Sequence, residues 1–256
     1  MKIRFYIILF FISLYPFLLH GNLVVRDEFS KIFDLAHGET AQSSVMLYNP
    51  TDVAMSVRVS QADYVYTTSG EDFFIEAGKY ERSNATWVRF VESITLPAKE
   101  NYVYHFSVAV PNQRALAGTY WSVLFFEETA NLAPIRFEDI TVNHRYCIQI
   151  ISNIKDTGTI DMSFQDVKVQ NHQVVLSLKN TGTLWFDATI KIDIFDENAQ
   201  LINANISEGH RIYPALERQY HISMPILPPA NYYAIIVVDC GSDRVFGHQI
   251  SFSVQR

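Results

Sequence analysis

The stretch "AGTYWSVLFFEET" at residues 117–129 decides the fold class, because it places a run of apolar and aromatic side chains between a glycine turn and an acidic pair. The run is much shorter than the roughly 20 apolar residues of a membrane-spanning helix. Its composition and flanks predict a strand that is buried on both faces. Successive residues point to opposite sides, with Tyr120, Ser122, Leu124 and Phe126 on one side and Trp121, Val123 and Phe125 on the other. We expect the Trp121 side to face Trp87 and Val103 in the opposite sheet of the same sandwich.

Similar strands are predicted on both sides of this stretch, and no segment has a convincing helical pattern. In the first half they are 43–49, 54–64, 85–91, 102–110 and 140–151. In the second half seven candidates follow, at 160–169, 173–180, 185–195, 200–206, 218–224, 231–239 and 245–254. Hairpin turns are predicted at 196–198 and 241–243, where acidic and small polar residues cluster.

The strand pattern predicts an all-β protein made of two tandem immunoglobulin-like β-sandwich domains. The polar, turn-prone segment "SNIKDTG" at 152–158 is the best boundary between them. The first domain is predicted at 22–153 and the second at 159–256, with a signal peptide at 1–21.

The N-terminal segment has the layout of a secretory signal peptide. Lys2 and Arg4 precede an apolar run from Phe5 to Leu19, and Gly21 allows cleavage before Asn22. The alternative is an uncleaved anchor, since the run is nearly long enough to span a bilayer. Either way the chain is expected to work outside the cytoplasm, in the periplasm or as a secreted protein, with membrane contact only through this segment before cleavage.

Composition excludes several functions. The formal net charge of −7 and the scattered Lys and Arg residues argue against nucleic acid as a partner. The sequence contains no nucleophile elbow, no phosphate-binding glycine loop and no metal-ligand spacing among its eight His and two Cys residues. We therefore expect no enzymatic activity, no catalytic residue, no metal, no cofactor and no small-molecule substrate.

An exported chain with two such domains resembles the periplasmic chaperones of pilus assembly. The resemblance lies in that layout and in the stretches "HGETAQSSVMLYNPTDVAMSVRV" at 37–59 and "LPAKENYVYHFSVAVP" at 96–111. It implies a partner that is a secreted or surface protein subunit. In that family the last strand of the first domain lends alternating apolar side chains to an incomplete subunit, while basic residues in the interdomain cleft hold the subunit's terminal carboxylate.

The resemblance assigns candidate partner-binding residues to the strand at 140–150 and to two arginines. The alternating apolar residues of that strand are Ile140, Val142, Tyr146, Ile148 and Ile150, and the basic residues near the corresponding places are Arg26 and Arg145. An unpaired edge with apolar residues at every second position is how strand addition combines affinity with register. Alternation of this kind also fits a strand that fills its own core, and Arg145 also fits a solvated strand residue.

A second resemblance leaves another function open. The order of "NPTDVAMSVRVSQADYVYTTSG" at 49–70 and "VPNQRALAGTYWSVLFFEE" at 110–128 is similar to the first domain of WxL-interacting surface proteins. That resemblance implies a cell-surface adhesion or scaffolding module. For the two cysteines, Cys147 and Cys240, the sequence leaves open a bond between the domains or two unpaired thiols.

Overall fold

The computed structural model describes residues 22–129 and 145–255, and it contains seventeen strands in four sheets within those ranges. The signal peptide predicted at 1–21 lies outside the described residues. No helix in the described part of the chain is long and apolar enough to cross a membrane. The predicted all-β sandwich fold is confirmed.

Ten strands form the two sheets of the first sandwich. In chain order they are β1 (Val24–Val25), β2 (Ser30–Leu35), β3 (Thr40–Tyr48), β4 (Met55–Tyr66), β5 (Asp72–Glu76), β6 (Val88–Arg89), β7 (Ser93–Leu96), β8 (Asn101–Ala109), β9 (Gly118–Glu128) and β10 (Arg145–Ile154). One sheet has the order β1-β3-β8-β6, and the other has the order β2-β10-β9-β4-β5, with β7 also paired to β4.

Seven strands form the second sandwich. They are β11 (Met162–Gln170), β12 (Gln173–Asn180), β13 (Phe186–Asp196), β14 (Leu201–Ile212), β15 (Glu217–Ser223), β16 (Asn231–Asp239) and β17 (Val245–Ser253). A three-stranded sheet, β11-β12-β15, faces a four-stranded sheet, β14-β13-β16-β17. All seven predicted strands of this half are present, and both predicted hairpin turns connect their strands.

Strand β9 (Gly118–Glu128) lies within the stretch at 117–129 and is buried on both faces, as predicted. Its two faces contact different parts of the molecule. Leu124 and Phe126 pack into the core between the sheets of the first sandwich. Trp121, Val123 and Phe125 belong to a separate cluster on the outer face of the sheet. Each face of β9 is therefore buried in a different apolar cluster.

The second sandwich covers the Trp121 end of that outer face, so the expected contact of Trp121 with Trp87 and Val103 was wrong. Trp121 stacks on Tyr213, which directly follows β14, with ring centroids 4.3 Å apart. Trp87 instead contacts Tyr120, on the other face of β9, at 4.7 Å. Val103 is 42% exposed. The two sandwiches thus share a third apolar cluster, which also includes Tyr64, Tyr66 and Ile151.

The start of β9 meets the second sandwich at a position that requires glycine. Gly118 has a positive φ of 74°, and a Cβ atom there would lie 2.0 Å from the carbonyl oxygen of Thr183. The next amide, Thr119 N–H, donates to that same oxygen at 2.8 Å. Because only glycine tolerates this close approach, Gly118 keeps the two sandwiches in backbone contact.

Candidate partner-binding edge

The edge of β10 is open over part of its length because the N-terminal segment changes sheets. Val24 and Val25 of β1 pair with β3 in one sheet, and the chain then crosses to form β2 in the other. β2 runs parallel to β10, but it pairs only with Gln149–Ile154. No described strand pairs with Arg145–Ile148 on the side away from β9.

One hydrogen bond identifies the backbone groups that face this open edge. Gln149 N–H donates to Phe29 C=O at 2.9 Å, so the polar groups of Gln149 point toward β2. Backbone groups alternate sides along a strand, so those of Cys147 and Arg145 point the same way as those of Gln149. Tyr146 and Ile148 point their backbone groups toward β9, with which they pair. The open edge therefore offers the N–H and C=O groups of Cys147 and Arg145.

The side chains of β10 alternate as predicted, and their described apolar members face the chain's own core. Ile148 and Ile150 are fully buried in the first sandwich, and Tyr146 packs against the same core. Tyr146 also stacks on Phe29 at 6.4 Å, and Phe29 is 56% exposed. Ile140 and Val142, the other two candidates on this strand, lie outside the described residues.

Arg145 lies at the beginning of β10 on the outer face of the sheet. Its Nε is 3.1 Å from Glu127 Oε1, and its guanidinium carbon is 3.4 Å from the centre of the Phe125 ring. Glu127 also pairs with Arg58 at 2.6 Å. The Arg145 side chain remains 45% exposed, so it is held in place yet open to solvent.

Arg26 lies on the other sheet of the same sandwich, just after β1. Its N–H donates to Met46 C=O, and its Nη1 donates to Asn101 Oδ1 at 3.0 Å. Its guanidinium covers the Tyr48 ring at 3.7 Å. Because only three residues separate Arg26 from β2, the two arginines lie at the same side edge of the sandwich but on opposite sheets. The structure thus does not bring them into one cluster.

A polar network between the sandwiches was not predicted from the sequence. Gln149 Oε1 accepts hydrogen bonds from Tyr213 Oη at 2.8 Å and from Arg211 Nη1 at 3.1 Å. Burial raises the pKa of Tyr213 well above its ordinary value, so its hydroxyl stays protonated and acts as a donor. The only signal in the sequence was an isolated glutamine within the apolar run "CIQII". This network fixes β10 against β14.

The two cysteines are unpaired and poorly reactive. Cys147 is partly buried on the outer face of β10, and Cys240 is buried in the second sandwich. Burial raises the pKa of each thiol to about 12, so the nucleophilic thiolate is scarce at neutral pH. Among the described residues, no group of three or more His, Cys, Asp or Glu side chains is arranged to hold a metal ion.

The chain is similar to known proteins in its fold. No protein-family model and no curated protein sequence matches the chain. Solved structures do match. A chain from the chaperone–tip adhesin complex of CFA/I fimbriae has a TM-score of 0.52 and 12% identity, over 90% of this chain and 98% of that one. The class 5 fimbriae chaperone CfaA has a TM-score of 0.51 and 13% identity, over 92% and 100%.

A third match comes from the CsuC–CsuE chaperone–tip adhesion subunit pre-assembly complex of the archaic chaperone–usher Csu pili of Acinetobacter baumannii. Its TM-score is 0.50 with 12% identity, over 90% of this chain and 98% of that one. At such identities the likeness concerns the fold. The chain therefore has the two-sandwich fold of fimbrial chaperones, and the resemblance predicted from its sequence is confirmed at that level.

Proposed function

We propose that this protein is a non-enzymatic assembly chaperone that acts in the periplasm and captures a secreted or surface protein subunit by strand pairing. The observation that carries the proposal is the open edge of β10 at Arg145–Ile148, where β2 stops pairing. An exposed strand edge presents unpaired N–H and C=O groups, which form a template for pairing with a strand of another chain. The shared fold with fimbrial chaperones supports the same function.

The proposed binding step is the addition of a subunit strand beside β10. The N–H and C=O groups of Cys147 and Arg145 would form its first backbone hydrogen bonds, and main-chain pairing of this kind supplies affinity. Phe29 and Tyr146 offer an apolar platform beside the same edge. Ile140 and Val142 stay proposed partner-binding residues on the sequence pattern alone, and buried Ile148 and Ile150 would hold the strand in register.

We assign Arg145 the role of anchor for the subunit's terminal carboxylate, because it is half exposed and lies at the end of the open edge. Arg26 would act from the opposite sheet, at the same side edge. Arg145→Ala is expected to weaken subunit binding by about 2–5 kcal/mol if the ion pair between Arg145 and the subunit's terminal carboxylate becomes buried on binding. The free energy of unfolding should change by less than about 1 kcal/mol, because Arg145 is 45% exposed and Glu127 keeps its ion pair with Arg58. Unchanged affinity in isothermal titration would remove Arg145 from the site.

The backbone at Cys147 offers a direct test of strand pairing. Cys147→Pro removes an N–H that faces the open edge and leaves the ladder with β9 intact, and proline is tolerated at edge positions. We expect this variant to fold and to lose subunit capture. Cys147→Ala is the matched control, since it removes the thiol and keeps the N–H, and it should capture as well as the wild type.

The assay begins with the subunit that co-purifies with the tagged protein from its own periplasm, identified by mass spectrometry. That subunit is then co-expressed with the wild type, Cys147→Pro and Cys147→Ala, and the amount retained on the tag is compared. Near-ultraviolet circular dichroism confirms that each variant is folded. A folded Cys147→Pro protein that retains as much subunit as the wild type contradicts the proposal.

A further inference from the structure

Strand β5 of the first sandwich is an apolar edge that is open to solvent. It ends the sheet order β2-β10-β9-β4-β5 and pairs only with β4 among the described strands. Of the strands that the structure describes, it alone has every residue exposed. Its three central residues are nevertheless large and apolar, with Phe73 and Phe74 each 43% exposed and Ile75 39% exposed. Contiguous exposed apolar side chains with a polar rim are typical of protein–protein contact sites.

The position of β5 is fixed by contacts with both sandwiches. On the outer face of the sheet, the Phe74 ring packs edge-to-face on Phe125 with centroids 4.9 Å apart. In the turn before β5, Thr68 C=O accepts a hydrogen bond from Gln219 N–H of the second sandwich at 2.8 Å. The apolar edge is therefore held in one place before any partner arrives, and a preorganised edge binds with a smaller loss of conformational entropy.

The turn before β5 also identifies the backbone groups on its open side. Thr67 N–H donates to Glu71 C=O at 2.9 Å, so the backbone groups of Glu71 point toward β4. Backbone groups alternate sides along a strand, so those of Asp72, Phe74 and Glu76 point away from β4. The carbonyl of Glu76 is used in the turn that follows the strand. The open side thus offers three N–H groups and the C=O groups of Asp72 and Phe74 to another strand.

The charge around this edge is negative. Asp72 and Glu76 form the two ends of β5, and Glu71 directly precedes it. Lys79 Nζ is 3.8 Å from Glu76 Oε1, in a pair whose side chains are both mostly exposed. A second copy of β5 would place acidic residues opposite acidic residues in either direction of pairing, and like charges directly opposite each other destabilise a strand pair. The edge therefore favours a partner with basic residues over a copy of itself.

We propose that β5 docks an extended segment of another protein by strand pairing, and that this segment reads basic–apolar–apolar–apolar–basic. Its two basic residues lie opposite Asp72 and Glu76, and its apolar residues lie against Phe73, Phe74 and Ile75. Opposite charges and apolar pairs that face each other across two strands both stabilise the pairing. The inference does not rest on the proposed function, because the open part of β10 lies on the other side of the same sheet.

Synthetic peptides test this pairing rule in titrations followed by fluorescence anisotropy. The probe has the core Lys-Val-Ile-Val-Lys between Gly-Ser flanks, with both termini blocked, and the control peptide has Glu in place of each Lys. One short strand pair is a small interface, so we expect a dissociation constant of roughly 10–500 μM for the basic peptide. The acidic peptide should bind about tenfold more weakly or worse. Equal affinity for the two peptides, or no binding of the basic peptide at about 1 mM, overturns the proposal.

Glu76→Lys tests the charge pairing at one end of the strand. This variant should bind the basic peptide about tenfold more weakly, because two like charges then lie opposite each other. One of the two mixed peptides, Glu-Val-Ile-Val-Lys or Lys-Val-Ile-Val-Glu, should regain binding, and the one that does so reports the direction of the docked strand. Glu100→Lys is the matched control, because Glu100 is an exposed acid elsewhere in the first sandwich. Equal weakening by the two variants, or recovery with neither mixed peptide, contradicts pairing at β5.

The apolar part of the edge is tested by the double substitution Phe73→Ala with Ile75→Ala. Both side chains are partly exposed, so the variant should remain folded while its affinity for the basic peptide falls about fivefold or more. Val103→Ala is the matched control, because Val103 is 42% exposed on the other sheet of the same sandwich. A folded double variant that binds the peptide as tightly as the Val103→Ala protein would contradict an apolar contact at this edge.

Discussion

Trp121→Ala is expected to lower the free energy of unfolding by about 3–5 kcal/mol, the range for deleting a buried large aromatic side chain. Trp121 is 1% exposed and stacks on Tyr213 at 4.3 Å. Its indole N–H donates to Tyr64 C=O at 2.7 Å, so the substitution also leaves a buried carbonyl without its partner. Because Tyr213 belongs to the second sandwich, the loss should weaken the contact between the two domains as well as the first domain itself.

Urea unfolding of the wild type and the variant measures this change. Phe73→Ala is a suitable control, because Phe73 is 43% exposed and its removal should cost less than about 1 kcal/mol. A midpoint for Trp121→Ala equal to that of Phe73→Ala would mean that the ring contributes little, and that the apolar cluster between the sandwiches does not hold them together.

Ile148→Asn is expected to destabilise the first sandwich by about 2.5–6 kcal/mol. Ile148 is fully buried in the core between the two sheets. The substitution removes an apolar side chain worth about 1.5–3 kcal/mol and buries an amide without partners, at a further cost of about 1–3 kcal/mol. Ile148→Val, which keeps the core apolar, should cost only about 0.5–1.5 kcal/mol.

The same substitution separates two roles of β10. If Ile148 serves its own core, urea unfolding detects the loss of stability in the isolated protein. A variant as stable as the wild type that no longer captures a subunit would instead show that this side chain is donated to the partner. The first result is expected, because the described part of β10 leaves backbone groups free while its apolar side chains are already buried.

The second sandwich could be predicted well from sequence, and the first less so. Along β13, charged residues alternate with Ile190, Ile192 and Ile194. Period-two alternation of this kind identifies a strand with one solvent-exposed face. In the first half, the predicted strand at 85–91 is instead a 3₁₀ turn at Ala85–Trp87 followed by two strand residues. The buried side-chain amide of Asn84 donates hydrogen bonds to Ile150 C=O and Ser152 Oγ of β10. These bonds hold the segment in a turn conformation.

The two faces of β9 illustrate what the pattern alone could not decide. Every residue from Trp121 to Phe126 is buried, so alternation assigns two sides without saying which one faces the opposite sheet. The answer depends on Tyr213, whose contact with Trp121 exists only when both sandwiches are in place. β2 and β5 were also missed, since "SKIFDL" and "DFFIE" mix charged and apolar residues in short segments.

The candidate site was predictable only in part for a similar reason. The alternation of Tyr146, Ile148 and Ile150 could be seen in the sequence. The open edge beside them could not, because it exists where the N-terminal segment leaves one sheet for the other. The contact of Gln149 with Arg211 likewise requires two sandwiches that are separate in sequence.

Amide hydrogen exchange at single-residue resolution tests strand pairing at the β10 edge most directly. In the isolated protein we predict fast exchange at the Cys147 amide, which faces the open edge, and slow exchange at the neighbouring Ile148 amide, which faces β9. In the complex with the captured subunit, Cys147 should become protected while Ile148 changes little. An amide of Cys147 that exchanges as fast in the complex as in the free protein would contradict capture by strand pairing at this edge.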